Sequence, residues 1–165
     1  HFELWTQSLH FGAVNRMNVI HQPSGLKIGG GLDDVWFNQR TGKIHIVDYK
    51  STSQKSAGKE INLNDKWKAT YKRQMDLYVW IMEQKGFDVS KEGYFLYCDG
   101  DRFSDYGFLG HENAIMKFKM QLLSYEVTTE WIEPTLIKIK ACLETGSRPE
   151  HAAECEYGAF LKAAG

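Results

Sequence analysis

Residues 30–50 read GGLDDVWFNQRTGKIHIVDYK, and this stretch has the pattern of a β-hairpin. Its second half alternates polar and apolar side chains and is rich in β-formers, and a cluster of turn formers at 38–42 precedes it. The first strand is predicted to run from Leu26 to Phe37. A four-residue loop would pair Asn38 with Lys43, whereas a five-residue loop would shift the whole register by one residue.

Two carboxylates and an amine come together at the open end of this predicted hairpin. With the four-residue loop, Asp33 lies opposite Asp48 and Gly31 lies opposite Lys50. Paired side chains are roughly 5 Å apart, so the carboxylates repel each other unless a divalent cation lies between them or one is protonated. Oxygen ligands favour Mg²⁺ or Mn²⁺ over zinc. Lys50 shares a face with Asp48 and can reach an attacking water or a charged phosphate, which the glycines at 29–31 would let approach closely.

The same residues also have a simpler explanation. Asp-x-Lys occurs by chance in many sequences, and glycines before an aspartate can mark a bulge or a turn. On this alternative the chain is an unrelated α/β domain, in which Asp33 and Asp48 are solvated residues at strand ends.

A long helix is predicted from Lys66 to Lys85, with Asp65 as its cap and Gly86 at its end. One face of this helix carries a stripe of mainly apolar residues: Trp67, Tyr71, Gln74, Tyr78 and Ile81. Its aromatic members are predicted to pack in the core. Gln74 is polar and needs a partner, which the hairpin backbone, a substrate or a metal-bound water could supply.

The remaining pattern predicts a single α/β domain over residues 1–165. The expected elements are the end of a helix and a loop over His1–Val19, a polar loop over Ser51–Asn64, strands at Tyr94–Cys98 and Lys117–Glu126, a helix from Pro134 to Glu144, and a polar tail from Glu150.

Composition fits a soluble globular protein, with 42% hydrophobic and 25% charged residues. No apolar run reaches the roughly 18 residues of a membrane span, so no membrane partner is predicted. The chain starts at His1 without a visible leader, and native residues upstream are expected to be missing. Cys98, Cys142 and Cys155 form no C-x-x-C pair, which predicts a reducing, cytoplasmic setting with Cys98 and Cys142 as small core residues.

The net charge of −1 is nearly neutral, but its distribution is uneven. Between residues 50 and 73 lie seven basic residues and two acids. Such a patch suits a polyanion, and Lys55, Lys72 and Arg73 are its candidate nucleic-acid contacts. The alternative is a solvated, lysine-rich loop.

Three short motifs resemble, in their order, those of PD-(D/E)XK nucleases: Gly30-Gly31-Leu32-Asp33, Val47-Asp48-Tyr49-Lys50 and Gln74-Met75-Asp76-Leu77-Tyr78. The likeness is to the RecB-like branch, with its CRISPR-adaptation exonucleases and an uncharacterised bacterial group. It implies a restriction-endonuclease-like α/β core, which is a mixed, mostly four-stranded sheet flanked by helices. It also implies a metal-dependent (exo)deoxyribonuclease, as in DNA repair, with RNA and an endonuclease mode left open.

The resemblance also implies roles for individual residues. Asp33, Asp48 and the backbone carbonyl of Tyr49 would hold Mg²⁺ or Mn²⁺, and Lys50 would orient or activate the water. Gln74 and Tyr78 would support the site and contact nucleic acid.

Departures from the family pattern concern the chain ends. The family has an upstream His or Glu that reaches the metal, for which His1, Glu3 and His10 are candidates and His1 is favoured. Cys155 stands alone where some relatives have a cysteine cluster, so no iron–sulfur cluster is expected. If the upstream ligand is absent, the alternative is a catalytically inactive DNA-binding or assembly module of the same fold. The oligomeric state is not predicted.

Overall fold

The computed structural model describes residues 17–53, 60–102, 112–113 and 115–164. The elements in these residues are β1 (Asn18–His21), β2 (Leu26–Gly29), β3 (Asp34–Phe37), β4 (Ile44–Thr52), a 3-10 turn (Lys66–Lys68), α1 (Ala69–Gln84), β5 (Glu92–Asp101), β6 (Lys117–Glu126), α2 (Ile132–Glu144) and α3 (Glu156–Ala164). None of the helices in these ranges has the length and apolarity to span a bilayer.

The main sheet has four strands in the order β3-β4-β5-β6, and β1 pairs separately with β2. Strands β4 and β5 are parallel, and the other two pairs are antiparallel. A parallel pair needs a crossover connection, and α1 lies between these two strands in the chain. The predicted α/β class, with a mixed four-stranded sheet flanked by helices, is confirmed.

The turn between β3 and β4 has the four-residue form. The Asn38 N–H donates to the Lys43 carbonyl at 2.9 Å, and Gly42 has a φ of 73°, a conformation that favours glycine. In the ladder Phe37 pairs with Ile44 and Asp34 with Val47. The predicted register is therefore confirmed for the part of the hairpin that forms.

The single strand predicted from Leu26 to Phe37 is wrong. Residues 26–29 pair with β1, where a loop was expected, and the chain leaves the ladder between Gly30 and Asp33. Consequently Asp33 does not pair with Asp48 as a strand partner, nor Gly31 with Lys50. Glycines are poor strand formers, and here they permit the chain to pass from one sheet to the other.

Helix α1 packs its apolar face on the main sheet. Its buried side chains include Met75, Val79 and Ile81, which share a core with Ile46 and Phe95 of the sheet. Gly86 follows the helix with a φ of 86°, as predicted for its end.

Asp65 occupies the predicted N-cap position, immediately before the helical residues that start at Lys66, but it does not cap through its side chain. The Asp65 side chain makes no capping hydrogen bond and instead forms an ion pair with Lys68, at 2.7 Å from its Nζ. The first turn is a 3-10 turn, Lys66–Lys68, and α-helical geometry begins at Ala69.

The second half of the chain follows its prediction with two corrections. Strand β6 and helix α2 are confirmed, β5 is longer than expected, and α3 lies within the predicted polar tail. Helix α3 has only nine residues, too few for an apolar period to stand out. Cys142 is exposed rather than a core residue, because α2 buries only Ile132 and Leu136.

Candidate active site

The candidate site lies where β4 changes from core to surface. Residues 44–48 are all buried, Tyr49 is exposed and Lys50 is half-buried. Side chains two positions apart on a strand share a face, so Asp48 and Lys50 project together towards α1. Asp48 is only 3% exposed, and the Lys50 Nζ lies 2.5 Å from its Oδ2.

Asp33 reaches the same place from outside the ladder. Its Oδ2 accepts the backbone N–H of Tyr49 at 2.9 Å. The Asp33 carboxylate therefore lies next to the Asp48–Tyr49 peptide at the end of the hairpin, although the backbones of Asp33 and Asp48 are not paired.

Burial dominates the electrostatics of Asp48. Loss of solvent raises its pKa above the ordinary 3.8, the close positive charge of Lys50 opposes this rise, and the negative charge of Asp33 adds to it. Within the described residues the buried Oδ2 has no hydrogen-bond partner of regular geometry, so its contact with Lys50 is an ion pair without a well-directed hydrogen bond. This oxygen retains the capacity to accept another positive group.

The neighbouring Asp34 faces the opposite side of the sheet and is fully engaged there. Its Oδ1 accepts the backbone N–H of Val35 at 2.7 Å, and its Oδ2 accepts the Trp36 indole N–H at 3.0 Å and the Tyr49 hydroxyl. This last contact is the largest cause that raises the pKa of Tyr49. Of the two adjacent aspartates, Asp33 is thus the one directed towards Asp48.

Helix α1 holds Lys50 from the other side. The Gln74 Oε1 accepts a hydrogen bond from the Lys50 Nζ at 3.4 Å, and its Nε2 donates to the Tyr78 hydroxyl at 2.7 Å. The Tyr71 ring lies against the same amine, with 4.4 Å between Nζ and the ring centre. Gln74 therefore links the Lys50 amine to the Tyr78 hydroxyl, and Gln74 and Tyr71 together hold the amine in position.

An acid pair and a lysine on one hairpin, backed by Gln and Tyr on the following helix, form the geometry that the three motifs implied. A family model of the PD-(D/E)XK nuclease superfamily matches residues 1–160. The chain belongs to this superfamily. No curated protein and no solved structure matches it significantly. The narrower RecB-like assignment stays a prediction.

One buried residue beside this site, Tyr97, was missed in the sequence. Tyr97 is the ladder partner of Lys50, and within the described residues its buried hydroxyl has no hydrogen-bond partner. Burial, with the nearby Tyr71 and Asp48, raises the pKa of Tyr97 to about 12. The β5 sequence alone carries no signal for this position, because Tyr97 reaches the face of the site only through the pairing of β5 beside β4.

The basic patch is smaller than predicted. Lys68 is buried, and its Nζ donates to the Asn62 carbonyl at 2.5 Å, so this amine is used within the protein and is not part of the basic surface. Arg73 is exposed, and half-buried Lys72 lies with its Nζ 5.9 Å from the ring centre of Tyr125. Lys55 lies outside the described residues.

The donor set of the site fits a hard divalent cation only in part. Asp33 and Asp48 offer oxygens, and the buried Oδ2 of Asp48 lacks a regular hydrogen bond. In the part of the chain that the structure describes, no three His, Cys, Asp or Glu side chains gather as a metal-binding group. The predicted upstream candidates His1, Glu3 and His10 lie outside that part.

Gly30 sets the position of Tyr78, and an alanine there tests this link. A Cβ at this residue would lie 2.5 Å from Cε1 of the Tyr78 ring, so the ring must shift. Because Tyr78 holds Gln74 and Gln74 holds Lys50, we expect Gly30→Ala to slow catalysis roughly tenfold and to lower stability by about 1–3 kcal/mol. Urea unfolding and cleavage rates measure the two effects.

The matched control is the same change in a Tyr78→Leu background. Leucine removes the ring that an alanine at residue 30 would meet, so Gly30→Ala should then cost less than about 0.5 kcal/mol more. Additive effects of the two substitutions would contradict the steric explanation.

Proposed function

We propose that this chain is a metal-dependent nuclease that hydrolyses phosphodiester bonds of DNA. Asp33 and Asp48 are the proposed metal ligands, and Lys50 is the residue that orients and activates the water. The observation that carries the proposal is the buried Asp48 carboxylate, whose Oδ2 lacks a regular hydrogen bond and which meets both Asp33 and Lys50. Two acids held this close suit an ion of opposite charge.

The residues divide the chemistry between them. Asp33, Asp48 and the Tyr49 carbonyl would hold Mg²⁺ or Mn²⁺, which would supply Lewis acidity at the phosphate and make a nearby water more acidic. The Lys50 ammonium stabilises negative charge that develops on the phosphate oxygens. Gln74 and Tyr71 restrict this amine to one position, which reduces the reorganisation needed at the moment of reaction.

The finer assignments are also proposals. The three motifs favour an exonuclease of the RecB-like branch that acts in DNA repair. In this proposal His1 is the upstream metal ligand. The residues that contact the nucleic acid are Gln74, Tyr78, Lys55, Lys72 and Arg73. A second candidate is an inactive DNA-binding or assembly module of the same fold. In its favour, the described residues offer two carboxylates and no third acidic, His or Cys ligand.

The adjacent aspartates provide the test of this proposal. Asp33→Asn should lower Mn²⁺-dependent cleavage of labelled linear DNA about 100- to 1,000-fold, because it removes one charge from the proposed metal site. Asp34→Asn makes the same chemical change on the opposite face of the sheet. It should leave cleavage within a few fold, although it weakens the contacts of Asp34 to Trp36 and Tyr49.

Calorimetric titration with Mn²⁺ separates the two candidate functions. An active nuclease should bind Mn²⁺ in the wild type and in Asp34→Asn, and weakly or not at all in Asp33→Asn. Cleavage that survives Asp33→Asn would refute the assigned ligand. A wild type that neither cleaves DNA nor binds millimolar Mn²⁺ would be the inactive module.

A further inference from the structure

Trp67 is a large aromatic side chain left in solvent beside the site. It belongs to the stripe predicted to pack in the core, yet it is 59% exposed, whereas Tyr78 and Ile81 of the same stripe are buried. It lies on the 3-10 turn Lys66–Lys68 that precedes α1. The prediction of a core role for Trp67 is therefore wrong, and the proposed chemistry does not use this residue.

The Trp67 ring is connected to Lys50 through a single intervening ring. The Trp67 and Tyr71 rings meet edge to face, with centres 5.6 Å apart and planes at 83°. The Tyr71 ring centre lies 4.4 Å from the Lys50 Nζ. Together these two distances set an upper limit of about 10 Å between the Trp67 ring centre and the Lys50 Nζ.

The turn that carries Trp67 is held in place. The Lys68 Nζ lies 4.9 Å from the centre of the Trp67 ring and is fixed by Asp65 at 2.7 Å and by the Asn62 carbonyl at 2.5 Å. Tyr71 supports the indole from the helix. A fixed, exposed ring needs little ordering when a flat apolar group binds it.

We propose that Trp67 is a stacking platform for an unpaired base of the strand whose phosphate reaches Lys50, an inference that rests on the proposed nuclease function. At 3.4 Å per nucleotide of a stacked strand, 10 Å corresponds to about three nucleotides. A base within a duplex has both faces covered by its neighbours, so only an unpaired base can offer a face to the indole. The substrate class is therefore nucleic acid that is single-stranded or frayed near the cleaved bond.

The test compares an oligonucleotide that has bases with one that has none. In an Asp48→Asn background with EDTA, so that no strand is cut, fluorescence anisotropy measures binding of labelled twelve-residue oligothymidylate and of an abasic deoxyribose-phosphate oligomer of equal length. Trp67→Ala should weaken oligothymidylate binding about 5- to 150-fold, the range for loss of one stacked base. Binding of the abasic oligomer should change less than twofold. Trp67→Phe, which keeps an aromatic face, should retain most of the affinity.

Phe160→Ala is the matched control, because Phe160 is 65% exposed and lies on α3, apart from the stripe. It should bind both oligomers like the parent. Equal loss of both oligomers in Trp67→Ala, or no loss of either, would overturn the stacking role.

Cleavage by the otherwise unaltered chain distinguishes the failure of this inference from the failure of the proposed function. Wild type should prefer a single strand to a blunt duplex, and Trp67→Ala should abolish that preference. A wild type that cleaves both and is unaffected by Trp67→Ala would refute the platform alone. If the wild type cleaves neither the single strand nor the duplex, and the Asp48→Asn parent binds neither oligomer, both the nuclease proposal and the stacking platform would be refuted.

Discussion

Replacement of Lys50 with methionine is expected to slow metal-dependent DNA cleavage about a thousandfold. Methionine keeps an unbranched apolar stem and removes the ammonium that Asp48, Gln74 and Tyr71 hold in place. Single-turnover cleavage of labelled DNA at saturating Mn²⁺ measures the loss, and circular dichroism verifies the fold.

The control for Lys50→Met is Lys43→Met, one residue before the start of the same strand. Lys43 is exposed and lies 3.5 Å from Asp88, and such surface ion pairs contribute at most about 1 kcal/mol. Cleavage by this variant should equal that of the wild type. If Lys50→Met kept more than about a tenth of the wild-type rate, Lys50 would not be the residue that activates water.

Asp76→Ala is expected to lower the free energy of unfolding by about 3–5 kcal/mol, the largest stability effect predicted for a single side chain here. Asp76 is 2% exposed on α1, and its two oxygens accept the Thr128 backbone N–H at 3.0 Å and the Trp131 indole N–H at 2.9 Å. Hydrogen bonds to a charged group contribute about 1.5–3 kcal/mol each, and alanine removes the acceptor of both donors at once.

Asp76→Asn should show about half of this loss, since an amide keeps one acceptor oxygen and loses the other. Asp88→Ala, which removes an exposed carboxylate, should change the free energy of unfolding by less than about 1 kcal/mol. Urea unfolding measures all three variants. A loss below about 1 kcal/mol in Asp76→Ala would show that water replaces the carboxylate and that the network does not stabilise the fold.

The catalytic end of the hairpin could be predicted because its determinants are local. Turn residues at 38–42 fix the loop length, the loop length fixes the register, and alternation then puts Asp48 and Lys50 on one face. Asp33 approaches this end from outside the ladder and accepts the Tyr49 N–H, and its role with Asp48 stays a prediction.

What could not be predicted depends on contacts that are distant in the sequence. The glycines at 29–31 are compatible with a bulge or a turn, but the pairing of β2 with β1 cannot be derived from residues 26–37. Helical periodicity puts Trp67 and Tyr78 on one stripe, but Trp67 lies on a 3-10 turn before α1, where that periodicity does not apply. The position of Tyr97 depends on the parallel pairing of β5 with β4, which requires the crossover connection between these strands.

The buried carboxylate of Asp48 has a consequence for any attempt to improve the protein by heat selection. Its raised pKa means that the ionised form of Asp48 is less favourable in the folded chain than in the unfolded chain. Neutral replacements at this position relieve that penalty and eliminate the proposed metal ligand at the same time. Screening libraries for thermal stability alone therefore favours inactive variants, and the melting temperature does not indicate which variants keep their activity.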